Sequence, residues 1–223
     1  MDCSMLEKSS LFRGIPAHEI SGDLEKIFYR IQRYDKGELI FRPMESATRI
    51  ALILEGTVEI QNSLPNGNQV NVSHGKEGEM IGAAAVFSRS RKYPCGIAAL
   101  EPVTVMILQK EDLLKLMQKD IRIMENFATE IASAAYMLHQ RLELFSYSGI
   151  AQKAAFWLLI RSRQSGEKKI PIPGSVSKWA MIMNVSRSSL HRELKRMEEE
   201  SLISYAPPVI EILNPAALQK MLG

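Results

Sequence analysis

Cysteine is scarce in this 223-residue sequence, in which Cys3 and Cys95 are the two examples. Two cysteines without a CxxC spacing are too few for a disulfide framework, so we expect a reducing, cytoplasmic setting. They are also too few for an iron–sulfur cluster, which needs about four thiolates. Histidine is sparse too, at 4 residues, and a lone histidine such as His74 or His139 is more often structural than a haem ligand.

Long apolar runs are missing as well. No run approaches the roughly 20 residues that a membrane span needs, and the N-terminus lacks a basic-then-apolar signal pattern. We therefore expect no membrane association. The β-rich region contains His74 without a second histidine or a carboxylate at metal-ligand spacing. No Ser/His/Asp or Cys/His arrangement is evident, so we expect no metal site, no catalytic residues and no enzyme activity.

Charge is divided unevenly along the chain. The formal net charge is +3, but from Gly149 onward 11 Lys and Arg stand against 6 Asp and Glu, a local net charge of +5. Residues 1–148 carry the other 17 basic and 19 acidic side chains, a net charge of −2. A basic C-terminal third fits a polyanionic partner, because Lys and Arg that neutralise phosphates release condensed counterions. A solvated charged face is the alternative.

Short β-rich runs punctuated by glycine extend from Tyr34 to about Leu108, after a beginning that reads as helix and turn. The predicted strands are Glu38–Phe41, Ile50–Leu54, Thr57–Gln61, Val70–Ser73, Ile97–Leu100 and Val103–Leu108. Asn66-Gly67 is the strongest hairpin signal, because both residues tolerate the positive φ of a tight turn. Many short strands with regular turns predict a closed or rolled antiparallel β domain.

The hydrophobic period becomes helical after about Glu111. A helix from about Arg122 to Tyr147 would be ~38 Å long, and it carries one apolar stripe with steps of three or four residues. We predict that this stripe is a dimer seam made of Met124, Phe127, Ile131, Ala134, Leu138, Leu142 and Phe145. A small β domain can hardly bury so long a stripe, whereas a second copy of the helix can. Packing wholly within the monomer is the alternative.

The sharpest local pattern lies between Ser177 and Leu202. A short helix from Ser177 to Met183 contains Ala180, which is small enough for a second helix to cross closely. Asn184 is predicted to make the turn, since Asn accepts left-handed backbone, and Ser186 is the predicted N-cap of the next helix. The inward stripe of that helix is predicted to be Leu190, Leu194 and Met197.

The outer face of this next helix carries groups that can bind DNA. With Ser177, the predicted contacts are Arg187, Ser188, His191, Arg192, Lys195 and Arg196. Arg donates a bidentate pair to guanine, and Ser hydrogen-bonds several bases. Two β runs, Leu202–Tyr205 and Val209–Leu213, flank Pro207-Pro208 and predict a wing. A helical hairpin with a solvated basic face is the alternative.

Four segments resemble the CRP–FNR family of bacterial regulators in their order and spacing. They are Tyr34-Asp35-Lys36-Gly37-Glu38 with Ile40-Phe41, Ile53-Leu54-Glu55-Gly56, Gly78-Glu79-Met80-Ile81-Gly82, and the run from Asn184 to Leu194 before Leu202-Ile203. The resemblance implies an α+β protein with an antiparallel β-roll effector domain, a long dimerisation helix and a winged helix-turn-helix domain. We assign these to residues 1–121, 122–148 and 149–223. It also implies a homodimer on an inverted-repeat DNA operator, with RNA polymerase as a partner.

The resemblance places a small-molecule effector between the long helix and a cassette that follows Gly82. The residues expected around it are Gly82, Ala83, Ala84, Tyr93, Tyr136 and His139. Cyclic-AMP receptors carry a Glu soon after the second cassette glycine and then an Arg-Ser pair, where this chain has alanines and Tyr93-Pro94. Their Thr-Ser pair on the long helix is missing too. We expect an unidentified effector other than cyclic AMP and no evident cofactor; Arg89 or Arg91 could hold an anion from a shifted position.

The predicted DNA contacts differ in role. Arg192 matches a family arginine and is expected to read bases, whereas Lys195, Arg196 and Ser177 are expected to hold phosphates. Ser188 stands where family members often have Glu, so a family operator sequence does not carry over. Two functions remain open: a ligand-gated regulator and a constitutive DNA binder with a vestigial effector pocket.

Overall fold

A computed structural model describes residues 3–63 and 69–223 of the chain. The chain forms two compact units, Met1–Ala134 and Ala135–Gly223. The N-terminal unit contains α1 (Ser4–Glu7), α2 (Ala17–Leu24), β1 (Tyr29–Tyr34), β2 (Leu39–Phe41), β3 (Arg49–Glu55), β4 (Val58–Ser63), β5 (Gln69–Gly75), β6 (Met80–Ile81), α3 (Ala83–Phe87), β7 (Gly96–Ala99), β8 (Val103–Gln109) and α4 (Lys110–Lys119). The helix α5 (Ile121–Ser146) begins in this unit and ends in the next.

The β strands of the N-terminal unit form two antiparallel sheets. One has the order β1-β8-β3-β6 and the other the order β2-β7-β4-β5. Strands β3 and β8 are buried on both faces and run past each other from Arg49↔Gln109 to Glu55↔Thr104. The predicted rolled antiparallel domain is therefore confirmed. The predicted Asn66-Gly67 turn lies outside the described residues.

Three elements of this unit escaped the sequence prediction. The strand β1 begins at Tyr29, in a region that we expected to be helix and turn, and β6 is two residues long. The edge strand β1 pairs with β8 alone and leaves most of its side chains exposed or half-exposed, so its hydrophobic alternation is weak. The helix α3 occupies the cassette after Gly82.

The helix α5 runs within a residue of its predicted bounds, and its apolar stripe is divided. Phe127 and Ile131 are half-buried and pack against the core of the N-terminal unit, and the Phe127 ring lies 4.9 Å from that of Phe87. Met124 and Ala134 are exposed. Further along, Leu138, Leu142 and Phe145 remain 59%, 62% and 48% exposed. The predicted seam is thus partly an intramolecular contact at its N-terminal end and open at its C-terminal end.

The C-terminal unit is a small α/β assembly built on a three-stranded sheet. Its elements after α5 are α6 (Ile150–Ser165), β9 (Lys169–Pro171), α7 (Val176–Ile182), α8 (Arg187–Glu199), β10 (Ile203–Ala206), β11 (Val209–Ile212) and α9 (Pro215–Lys220). The sheet has the order β10-β11-β9. Trp179 is fully buried in the core, with its ring 4.8 Å from that of Trp157. Within the described residues, no helix is both long enough and apolar enough to cross a membrane.

Candidate nucleic-acid interface and ligand site

The turn between α7 and α8 has the geometry that the sequence predicts. Asn184 has a φ of 54°, and the N–H groups of Asn184 and Val185 donate to the carbonyls of Met181 and Ala180 at 3.1 and 3.0 Å. This pair of hydrogen bonds is a Schellman ending, which satisfies the last carbonyls of α7. Ser186 then caps α8, because its hydroxyl accepts from the N–H of Ser189 at 3.0 Å. Both the predicted turn residue and the predicted cap are confirmed.

The two faces of α8 separate cleanly. Leu190, Leu194 and Met197 are fully buried, as predicted. The polar side chains on the opposite face are exposed, namely Arg187, Ser188, His191, Arg192, Lys195 and Arg196. Ser177 is exposed in the first turn of α7. The structure thus brings six of the predicted contacts onto one helix face, which we call the recognition face; their contact with DNA stays a prediction.

Two arginines of the recognition face are uncommitted. Among the described residues, neither Arg187 nor Arg192 forms a hydrogen bond or an ion pair. Each guanidinium therefore presents five N–H donors to solvent, in the fork geometry that matches guanine or phosphate.

Two other cations of the same face are already paired. Lys195 Nζ donates to Glu198 at 2.9 Å, and Arg196 donates to Glu193 at 2.5 Å while lying 3.6 Å from Glu200. These hydrogen bonds raise the pKa of Lys195 and of Arg196. A phosphate must compete with a carboxylate for either cation. The spacing of three residues in both pairs was visible in the sequence.

Tyr205 connects the predicted wing, strands β10 and β11, to α8. Its hydroxyl lies 3.2 Å from Nδ1 of His191, and its N–H donates to Glu198 at 2.7 Å. The Lys195 ammonium sits 5.5 Å from the centre of its ring. Burial raises the pKa of Tyr205. His191 consequently has one ring nitrogen, Nε2, left for a DNA contact.

Two aromatic rings pack directly beside Gly82, which is one of the predicted ligand residues. Phe41 and Tyr93 stack with their centres 4.3 Å apart and their planes at 7°. A Cβ on Gly82 would lie 2.9 Å from the first ring and 3.1 Å from the second. The Tyr93 hydroxyl donates to the carbonyl of Arg49 at 2.5 Å. Tyr93 is thus 1% exposed and belongs to the core, where burial raises its pKa.

The rest of the cassette carries methyl groups. Ala83 is buried, Ala84 is exposed, and neither side chain can donate a hydrogen bond to a phosphate. Arg89 and Arg91 are exposed. No group of three His, Cys, Asp or Glu in the described chain could hold a metal ion.

Tyr136 and His139, the other two predicted ligand residues, lie on α5 in the C-terminal unit. Both are exposed. They line a groove of about 320 Å³ together with other residues of that unit, among them Glu143, Phe156 and Arg163. Their role in effector binding stays a prediction.

Sequence reasoning missed the residues that connect these features. Phe41 contacts Tyr93, which is distant in the chain, and Tyr205 contacts His191 and Glu198 of the preceding helix; no local period reports either contact. The short spacing between Tyr205 and the predicted helix was the available signal for the wing contact.

Two family models match the chain. The cyclic nucleotide-binding domain matches residues 31–120 and the Crp-like helix-turn-helix domain matches residues 152–221. Together they cover more than half of the sequence. The first includes the Gly82 cassette, and the second includes the recognition face.

Several proteins of known function are similar over most of their length. The chain is 22% identical to a cyclic AMP receptor protein of Thermus thermophilus, covering 97% of this chain and 98% of that protein. It is also 22% identical to a global nitrogen regulator of Synechococcus elongatus, with 87% and 90% covered. The structure of the Thermus thermophilus catabolite activator protein matches with a TM-score of 0.55 at 21% identity, over 96% of this chain and 98% of that one. Structural likeness at this identity establishes the fold alone.

Proposed function

The chain belongs to the CRP–FNR family of transcription regulators, and from this premise we propose that it binds an inverted-repeat DNA operator as a homodimer. We further propose that a small ligand other than cyclic AMP gates this binding. It would act in the cytoplasm, where its DNA lies, with RNA polymerase as its partner.

The recognition face is the observation that carries this proposal. It combines a capped helix, a buried apolar side and two arginines, Arg187 and Arg192, whose side chains form no hydrogen bond or ion pair within the described chain. An uncompensated guanidinium can form a bidentate pair with guanine without first breaking an ion pair. In a two-fold dimer, two such helices would enter successive major grooves about 34 Å apart.

Selection from random duplexes tests the proposal directly. Purified protein is incubated with a pool of random-sequence duplexes, and the bound fraction is amplified and sequenced over several rounds. We expect enrichment of an inverted repeat whose half-sites lie about one helical turn apart. An Arg187→Ala/Arg192→Ala variant is the control and should enrich no motif. Failure of the wild-type protein to enrich any sequence would contradict the proposal.

The open end of the α5 stripe supports the homodimer. Leu138, Leu142 and Phe145 follow each other at steps of four and three residues, and all are about half exposed or more. Pairing with the same helix of a second copy would bury them. Sedimentation should therefore report a dimer for the wild-type protein and a monomer for Leu142→Lys. Ser133→Lys adds the same charge to an exposed position on another side of the helix and should remain dimeric.

A constitutive DNA binder is the second candidate, and the Phe41–Tyr93 stack favours it. The rings occupy the space beside Gly82, so a ligand there would have to displace both. This candidate predicts operator binding by protein that has been unfolded, dialysed and refolded to remove any bound small molecule. Binding that is lost by this treatment and restored by a metabolite extract would favour the gated regulator instead.

A further inference from the structure

A cleft in the N-terminal unit is lined by three arginines, none of which belongs to the predicted ligand residues or to the recognition face. Its volume is about 430 Å³, which falls in the range of small-molecule sites, roughly 300–1,000 Å³. The charged residues that line it are Arg30, Arg42, Arg49 and Glu45. We call it the arginine cleft.

The register of the first sheet builds one wall of the arginine cleft. Arg30 of β1 lies opposite Ile107 of β8, and Arg49 of β3 lies opposite Gln109 of β8. Directly opposed residues project from the same face of a sheet, and so do residues two apart on one strand. These four side chains therefore share one face, and all four line the cleft.

The second sheet supplies the other wall. Leu39 and Ile40 of β2 line the cleft, and Arg42 follows directly after that strand. The cleft is thus lined by both sheets, with apolar and cationic side chains among its residues.

The charges within the cleft are unbalanced. Arg49 Nη2 donates to Glu45 at 3.1 Å, so one arginine is compensated. Its Nε is buried and finds no hydrogen-bond partner in the described chain. Arg30 and Arg42 are exposed, and no ion pair or hydrogen bond of their side chains occurs there either. Three cations against one carboxylate leave a net charge of about +2 at a site that is partly shielded from water.

We propose that the arginine cleft binds a small organic dianion through its carboxylate or phosphate groups. Guanidinium forks pair with both groups by two parallel N–H···O bonds, and Arg49 Nε would gain an acceptor. The cleft also adjoins the Phe41–Tyr93 stack. The Arg49 guanidinium lies 5.7 Å from the centre of the Phe41 ring, and the Arg49 carbonyl accepts from Tyr93. An anion on Arg49 would therefore act on the residue that holds the aromatic stack.

Calorimetric titration of the full-length protein with citrate and with inorganic phosphate tests this site without any DNA. Both anions should bind at physiological ionic strength, where distant surface charges are screened. Tighter binding of citrate would identify carboxylates as the preferred groups, and tighter binding of phosphate would identify phosphates. Arg30→Gln and Arg42→Gln should each weaken binding about tenfold or more, the worth of one charge-assisted hydrogen bond.

Three controls make the proposal falsifiable. Arg13→Gln makes the same charge change at an exposed residue outside the cleft and should leave the affinity unchanged. Triethyl citrate, in which the three carboxylates are uncharged esters, should not bind. Arg89→Gln probes the cassette loop; if it abolishes binding while Arg30→Gln and Arg42→Gln do not, the anion site lies in the cassette and the proposal is wrong. The proposal is overturned if neither citrate nor phosphate binds, including the case in which a pentaglutamate peptide binds and the two small anions do not.

Discussion

The surroundings of Gly82 and the recognition face differ in whether their polar groups already have hydrogen-bond partners. Beside Gly82, the Phe41 and Tyr93 rings stack on each other, and the Tyr93 hydroxyl donates to a backbone carbonyl. On the recognition face, Arg187 and Arg192 are exposed, and their side chains form no hydrogen bond or ion pair in the described chain. A group that is already satisfied resists a ligand, whereas an unsatisfied one gains from it. Within the described residues, the groups beside Gly82 are therefore already satisfied, whereas two guanidinium groups of the recognition face are not.

Removal of the Phe41 ring should have the largest effect among these substitutions. Phe41 is fully buried, so Phe41→Ala removes a packed ring and should lower the free energy of unfolding by roughly 3–5 kcal/mol. Urea denaturation monitored by circular dichroism measures the change in the free energy of unfolding. Phe87→Ala is the matched control, because that ring is 38% exposed and loses less contact. A loss for Phe41→Ala below about 1 kcal/mol, no larger than that for Phe87→Ala, would show that the stack does not support the fold.

Removing an uncommitted arginine should have the next largest effect. Arg192→Ala should weaken binding to the selected operator by roughly 1–3 kcal/mol per half-site, or roughly 5- to 150-fold, while affecting random duplex much less. Arg196→Ala is the comparison, since its guanidinium is held by Glu193 and Glu200, and it should weaken both duplexes modestly. Fluorescence anisotropy with each duplex reports the difference. Equal losses on both duplexes for Arg192→Ala would make it a backbone clamp.

Lys195→Ala should act on affinity without changing specificity. Its ammonium is shared with Glu198, and we expect it to exchange this partner for a phosphate. The variant should bind operator and random duplex less tightly by similar factors, and the slope of log affinity against log salt should flatten by roughly one per protomer. An unchanged slope would mean that Lys195 stays on Glu198 in the complex.

The smallest effect should come from the wing contact and should depend on pH. Hydrogen bonds from Lys195 and from the Tyr205 N–H hold the pKa of Glu198 below its ordinary value. A carboxyl with a lowered folded-state pKa contributes stability above its unfolded pKa and loses it as the pH falls through the folded value. Glu198→Gln should thus slightly lower Tm at neutral pH, and the difference should fade below about pH 4. Glu199→Gln, an exposed neighbour, should show neither; a difference that persists in acid would rule out this role for the Glu198 carboxylate.

The sequence predicted the elements whose causes are local. Asn184 and Ser186 are determined by turn and cap chemistry within a few residues, and the Leu190 stripe by helical period, so all three could be read directly. The central strands β3 and β8 were predictable because they are continuous apolar runs. The edge strand β1 was not, because its exposed side chains dilute the alternation.

The features with long-range causes could not be predicted. Phe41 and Tyr93 meet because β2 and the segment before β7 fold together, which no local pattern reports. Arg30 and Arg49 share a cleft because β8 lies between their strands in one particular register. A shift of one residue would send either side chain to the opposite face of the sheet. Residue type indicated which groups could bind, and topology decided which of them remain available.

One titration tests the central claim most directly: the affinity of the wild-type protein for its selected operator and for random duplex, each measured with and without saturating cyclic AMP. The exposed arginines of the recognition face predict that the operator is bound at least about 1,000-fold more tightly than random duplex. The Phe41–Tyr93 stack beside Gly82 predicts that neither affinity changes when cyclic AMP is added. Equal affinities for the two duplexes would contradict sequence-specific recognition. A tightening by cyclic AMP would show that the Phe41–Tyr93 stack opens for the nucleotide.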